Sequence, residues 1–167
     1  MDISNAKAVR LFFEKNNITW CINCAAYTAV DKAETEPEKA RKINVTATRL
    51  LAEQCAARQI PFIHYSTDYV YHNRQNTPFK ETDPVSPKGV YARTKLAGER
   101  AALKAHPTGT MVIRTSWVYA AHGNNFVRTM LRLGAERPSL NVVFDQIGTP
   151  TYAPDLAQAT LDIIQKA

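Results

Sequence analysis

Apolar positions along this chain alternate between two periods. Ala8, Val9, Leu11, Phe12 and Phe13 follow Asp2-Ile3-Ser4-Asn5 and mark one side of a short amphipathic helix, with Ser4 or Asn5 as its cap. Residues 18–24 (Ile-Thr-Trp-Cys-Ile-Asn-Cys) are apolar on both faces, the pattern of a buried parallel strand. From 37 to 58 the helical period returns through Ala40, Ile43, Ala47, Leu50, Leu51 and Cys55. Residues 60–67 form a second apolar run that ends in the hydroxyls of Ser66 and Thr67. The stretch 68–89, rich in Pro and Asn, is long enough for a binding loop rather than a mere connection. A helix over 91–104, a third strand over 111–115, a helix over 124–136, a fourth strand over 140–144 and a final helix over 155–165, capped near Asp155, complete the prediction.

Strand and helix alternating in this way predict an α/β fold, a Rossmann-like parallel sheet with flanking helices, as a single unit over residues 1–167. Ligands of such sheets bind beyond the carboxyl ends of the strands. Polar clusters fall there: 23–31 after the first strand, Ser66-Thr67-Asp68 after the second and Thr115-Ser116-Trp117 after the third. Helix capping accounts for some of these hydroxyls and carboxylates, but not for Tyr27, Trp117 and Tyr119 beside them.

Composition narrows the function classes. With 45% apolar and 22% charged residues the chain has the balance of an ordinary globular protein. It shows no run that would span a bilayer and no basic-then-apolar leader, which points to the cytoplasm and away from membranes. The net charge of +6 comes from Lys and Arg scattered among acids, as in Lys32, Glu34, Glu36, Glu38 and Lys39. That pattern favours attraction of small anionic ligands such as nucleotides over nucleic-acid binding. Cys21, Cys24 and Cys55 give no disulfide framework. Cys21 and Cys24, three apart on a strand, point to opposite faces and are expected as buried small side chains, and no metal site is expected.

Tyr91 and Lys95 are four apart at the start of a helical run, on one face. A cation held beside a phenol lowers the phenol's pKa and makes it a better proton donor or acceptor. Such a pair alone is weak evidence, and the surrounding segments add to it. These are Asn23-Cys24-Ala25-Ala26-Tyr27-Thr28-Ala29-Val30-Asp31, Ser66-Thr67-Asp68-Tyr69-Val70, Val90-Tyr91-Ala92-Arg93-Thr94-Lys95, Arg114-Thr115-Ser116-Trp117-Val118-Tyr119, Asn125-Phe126-Val127 and Asp145-Gln146-Ile147-Gly148-Thr149-Pro150-Thr151-Tyr152.

In that order and spacing the segments resemble the extended short-chain dehydrogenase/reductases, and within them the dTDP-4-dehydrorhamnose reductase family of dTDP-L-rhamnose synthesis. The resemblance implies an NAD(P)H-dependent oxidoreductase, with NADPH or NADH as cofactor and a dTDP-sugar as substrate. Tyr91 would deliver the proton, Lys95 would bind the nicotinamide ribose, and Thr67 would polarise the substrate carbonyl. Ala25 and Ala26 would lie under the cofactor together with Tyr91 and Lys95. Tyr27, Thr28, Val30, Thr67, Asp68 and Trp117 would contact the sugar nucleotide. Association into a homodimer stays open. Other readings are a non-catalytic relative, such as the regulatory subunit of methionine adenosyltransferase, or a sugar-nucleotide epimerase or dehydratase. Epimerases share Tyr-x-x-x-Lys but not Ala-Tyr-Thr-x-Val-Asp. Dehydratases need an Asp-Glu pair where this chain has Asp68-Tyr69.

The family's opening strand and Gly-rich loop, which hold the cofactor pyrophosphate at a helix N-terminus, have no counterpart among the six glycines here. Nor does its C-terminal substrate portion. The resemblance therefore covers roughly the middle of a reductase, and the polypeptide alone is expected to bind NADPH poorly and to turn over no substrate.

Overall fold

The computed structural model describes residues 1–71 and 77–167. The chain divides into two compact units, Met1–Arg114 and Thr115–Ala167. Part of the expected 68–89 loop, residues 72–76, lies outside the described residues.

The first unit begins with α1 (Ala6–Lys15), whose cap is Asn5 rather than Ser4: the Asn5 side chain accepts from the Ala8 N–H at 3.1 Å. Val9 and Phe13 are its buried face. Strand β1 is only Cys21–Asn23, and Ile22 remains 40% exposed, so the expected burial on both faces is not met. The physical reason is position: β1 pairs parallel with β2 (Phe62–Thr67) and, among the described residues, has no strand on its other side. The sheet order is β1-β2-β3, with β3 at Thr110–Thr115 and the fully buried Phe62 and Ile63 on the central strand. Val9, Phe13, Leu50, Leu51, Cys55, Phe62 and Ala102 form the core between this sheet and its helices. Cys21 is half-buried, its thiol beside that of Cys55, whereas Cys24, just past the strand end, is exposed and not the buried side chain expected.

After the short α2 (Val30–Ala33) the long helical stretch appears as three joined pieces: α3 (Pro37–Arg41), a π-helical turn (Lys42–Ala47) and α4 (Thr48–Ala56). A π turn accommodates one extra residue per turn and shifts the faces that follow it. Here it buries the polar Asn44 together with Ala47. Helix α5 (Gly89–Ala105) packs across this turn at Gly98, where a Cβ would sit 2.2 Å from the Asn44 carbonyl oxygen. Only a residue without a side chain allows that approach.

The second unit has two parallel pairs, Val118↔Thr151 and Tyr119↔Tyr152, between β4 (Val118–Tyr119) and β5 (Thr151–Tyr152), together with α6 (Phe126–Glu136) and α7 (Ala153–Lys166). The strand expected over 140–144 does not form. Val142, Val143 and Phe144 are exposed and without a partner strand, so their β-favouring side chains have no sheet to join. Asp155 lies inside the first turn of α7, behind Pro154, and not at its cap, which is Tyr152.

Candidate active site

The C-terminal ends of β1 and β2 and the first turns of α5 carry most of the residues singled out in the sequence. Thr67 closes β2 and caps the 3-10 turn Asp68–Val70, its hydroxyl accepting from the Tyr69 N–H at 3.2 Å. The same hydroxyl lies 3.2 Å from an Asp68 carboxylate oxygen. The turn presents the Tyr69 ring edge-on to Tyr91, with centroids 5.9 Å apart. Thr67, Asp68 and Tyr91 are therefore neighbours, as the sequence reading requires.

The electrostatics depart from that reading in one respect. Burial pushes the Tyr91 phenol above its ordinary pKa, the Thr67 hydroxyl pulls it down, and Asp68 and Tyr69 add to the rise. Lys95 is not among the groups that lower it, contrary to expectation. The ammonium is turned elsewhere: Nζ donates to the Tyr65 carbonyl at 2.7 Å and lies 3.5 Å from Nε2 of His64. Lys95 is 2% exposed, and burial pushes its pKa down to about 8 against the opposing charge of Glu99. Tyr91 is thus a protonated phenol near neutral pH and, held this way, a weaker acid than a free phenol. Lys95 is a buried amine able to change charge close to that pH.

The loop after β1 is shaped by its backbone. The Asn44 carboxamide clasps Tyr27, accepting from its N–H at 2.8 Å and donating to its carbonyl at 3.2 Å. Asn44 also donates to Thr94 Oγ1 at 3.1 Å, and that hydroxyl donates to the Tyr91 carbonyl at 2.8 Å. One buried amide on the π turn thereby ties the loop to the helix bearing Tyr91 and Lys95. The Tyr27 ring is buried, and its hydroxyl donates to Glu36 at 2.8 Å, so its phenol is already committed within the chain. Ala25, Thr28 and Val30 are exposed and Ala26 is half-buried. The methyl side chains of Ala25 and Ala26 leave this backbone open to close approach by a ligand.

Trp117 belongs to the second unit. Its φ of 47° is left-handed, a conformation that costs a bulky residue about 1–3 kcal/mol. The ring tilts against Phe126 at 5.7 Å, is 39% exposed, and passes close to Gly148, where a Cβ would lie 2.5 Å from the indole nitrogen. Ser116 Oγ donates to the Thr149 carbonyl at 2.6 Å, and Asn125 caps α6 by accepting from the Arg128 N–H.

Residues 1–167 match the family model described as the RmlD substrate binding domain. The chain belongs to this family. It is 46% identical over 166 residues to the dTDP-4-dehydrorhamnose reductase of Salmonella typhimurium, covering 99% of this chain and 55% of that one. It is 47% identical over 165 residues to the enzyme of the same name from Mycolicibacterium smegmatis, covering 98% and 50%. Among solved structures, a dTDP-4-dehydrorhamnose reductase from Clostridium acetobutylicum superposes with a TM-score of 0.94 at 41% identity, over 99% of this chain and 59% of that one. One from Bacillus anthracis in complex with NADP gives 0.94 at 38%, over 99% and 58%. The chain thus spans about half the length of the curated relatives it matches, and the Rossmann-like parallel sheet with flanking helices is the fold it shares with them.

In this RmlD-family chain the site rests on buried polar residues to which the sequence reading gave no role. Asn23, at the end of β1, accepts from the Ala25 N–H at 3.1 Å and donates to His64 Nδ1 at 3.1 Å. Ser66 donates to Glu99, and Glu99 receives Arg114 through two bonds, Nε–Oε1 at 3.1 Å and Nη2–Oε2 at 2.7 Å. The Glu34 carboxylate accepts from the Val90 N–H at 2.7 Å and so caps α5 from a distant turn. A sequence signal for several of these existed: His64 interrupts an apolar strand, and Asn44 stands mid-helix, where its propensity is poor. A polar residue on a buried face needs a partner.

Proposed function

We propose that the chain is the proton-delivering and sugar-contacting part of an NAD(P)H-dependent reductase that converts the 4-keto group of dTDP-4-dehydro-L-rhamnose to the alcohol of dTDP-L-rhamnose. The observation that carries this reading is Thr67 beside a half-buried, protonated Tyr91, one helical turn from a buried Lys95, in a chain of this family. The Salmonella and Mycolicibacterium relatives bear the name of that reductase, and the Bacillus structure holds NADP.

Reduction of a ketone adds a hydride to carbon and a proton to oxygen. NAD(P)H, when bound, supplies the hydride. Tyr91 supplies the proton: its O–H bond breaks as the new O–H bond to the substrate forms, leaving a phenolate. Its raised pKa keeps it protonated until the substrate oxygen gains negative charge. Thr67 donates to that oxygen and stabilises the developing charge. The open backbone at Ala25 and Ala26 and the buried amine of Lys95 fit the nicotinamide-ribose end of such a cofactor, and with Tyr91 they would hold it. Tyr27, Thr28, Val30 and Asp68 would shape the sugar-nucleotide side, and Trp117 is proposed as a sugar contact on the resemblance. We place the reaction in the cytoplasm; no described helix is long and apolar enough to cross a membrane.

The test is consumption of reduced cofactor with dTDP-4-dehydro-L-rhamnose by the protein that carries this chain, compared with its Tyr91→Phe variant. Tyr91→Phe is expected to lower kcat by roughly 10²–10⁴-fold with little change in KM. Turnover that survives the substitution at full rate would remove Tyr91 from the mechanism. Absence of turnover in the parent protein would remove the substrate assignment.

A further inference from the structure

His64 is fully buried on β2, between Asn23 on one side and Lys95 on the other. Its protonation follows from the groups around it. The Ala25 N–H donates to Asn23 Oδ1, so the other end of that amide, Nδ2, is the one aimed at His64. An amide NH₂ is a donor only, so Nδ1 of the ring must accept. A neutral imidazole carries one proton, and here that leaves it on Nε2. Burial, with Lys95 second, pushes the His64 pKa down to about 3, so the ring is neutral at working pH.

Nε2 lies 3.5 Å from Lys95 Nζ. An ammonium has three donors and no acceptor, so an Nε2–H aimed at it offers nothing and repels it. A neutral amine has a lone pair that can accept from that N–H while still donating to the Tyr65 carbonyl. We propose that His64 is a positioning residue for Lys95: Asn23 fixes the ring with its proton on Nε2, and this donor turns the Lys95 nitrogen toward the Tyr65 carbonyl and favours its uncharged form.

The other groups around Lys95 do not replace this effect. On α5 itself stand Tyr91 and Glu99, and Glu99 favours the charged amine. Arg114 from β3 is held by Glu99, and Asp68 and Tyr69 from the 3-10 turn act on Tyr91. The π turn and α4 bring the neutral Asn44 and Thr48, and Glu34 is committed to the Val90 N–H. His64 is the neighbour that presents a fixed donor to the nitrogen. The consequence for catalysis rests on the reductase reading, in which a Lys95 able to lose its proton near neutral pH can restore the one that Tyr91 gives away. The placement itself does not depend on that reading.

Two measurements test it without any turnover. The first is a long-range nitrogen–proton correlation spectrum of the unmodified protein, labelled with ¹⁵N-histidine. His64 is expected to show a bare Nδ1 and a protonated Nε2 through about pH 5–8; a proton on Nδ1 overturns the proposal. The second is the Lys95 titration, followed by ¹³Cε-lysine resonances and assigned by the loss of one signal in Lys95→Arg. His64→Asn keeps an acceptor for Asn23 and deletes the facing N–H. It is expected to raise the Lys95 midpoint by about 0.5 pH unit or more, roughly threefold in the protonation constant. An unmoved midpoint in a variant whose circular dichroism is native overturns the proposal, and if that variant does not fold the tautomer spectrum decides. Loss of the reductase reading would leave both spectra unchanged.

Discussion

The two units of this chain organise their polar groups in opposite ways. In Met1–Arg114 polar and charged side chains go inside: Asn23, Asn44, His64, Ser66, Thr67, Thr94, Lys95 and Glu99 are all buried, each with a partner. In Thr115–Ala167 the one buried residue is Thr160, and large apolar side chains stand outside, Phe144 at 95% and Ile147 at 97% exposure. A buried polar group is expensive when unpaired, so the network of the first unit fixes relative positions: a shift of one element orphans several groups at once. The second unit, taken by itself, has no such constraint. The chemistry assigned to Thr67, Tyr91 and Lys95 sits where misplacement costs most.

The sharpest way to test this contrast is to remove equivalent charges from each unit. Arg114 meets Glu99, whose side chain is 3% exposed, through two bonds, whereas Arg132 meets Glu136 on the outside of α6 with both ends more than half exposed. Arg114→Met strands a buried carboxylate and is expected to destabilise the fold by about 3–5 kcal/mol. Arg132→Met is expected to cost at most about 0.5 kcal/mol. Urea midpoints of the two variants measure the difference. Similar losses would mean that the first unit is not held by its interior polar groups.

Glycine gives a second contrast, smaller and of opposite sign. At Gly98 a methyl group would strike the Asn44 backbone oxygen, which cannot swing aside as a side-chain tip could. Gly98→Ala must push α5 off the π turn, at about 1–3 kcal/mol. At Gly134, within α6, an added Cβ meets nothing within 4 Å. Gly134→Ala is expected to gain about 0.5–1 kcal/mol by restricting the unfolded chain. Thermal unfolding of both variants checks the signs, and a stable Gly98→Ala would show that the crossing can relax.

The same division explains what could be read from the sequence. Helix α5 was legible with Tyr91 and Lys95 on one face, because period and spacing are local properties. So was the alternation of strands and helices in the first unit, where Phe62, Ile63, Ala40 and Cys55 are buried as their pattern predicts. The strand expected at 140–144 failed in the unit where apolar side chains remain outside, so hydrophobicity there did not report burial. The π turn was hidden because helix and π turn share one hydrophobic pattern to within a residue. Lys95's orientation was hidden for another reason: spacing places it beside Tyr91, but the Tyr65 carbonyl and His64, from a different element, decide where its nitrogen points.

The smallest effect concerns a polar contact at the surface of the first unit, and it tests how far its order extends outward. Glu36 is held down to a pKa of about 2, first by the Tyr27 hydroxyl, then by Lys32 and Lys39. A carboxylate whose folded pKa is depressed contributes stability that is complete above its unfolded value near 4.5 and is lost as pH falls through about 2. Tyr27→Phe removes the largest of the three influences, so Glu36 should titrate higher, and the acid loss, whose onset is set by the unchanged unfolded value, should be smaller and complete at a higher pH. Above about pH 5 the variant should lose only the hydrogen bond and keep the parent's slope. Carboxyl-carbon NMR of Glu36, together with the acid-unfolding midpoint, reads both. A midpoint unmoved in Tyr27→Phe would show that Lys32 and Lys39 suffice to hold the carboxylate, and that the network's organising role ends at the Asn44 clasp on the Tyr27 backbone.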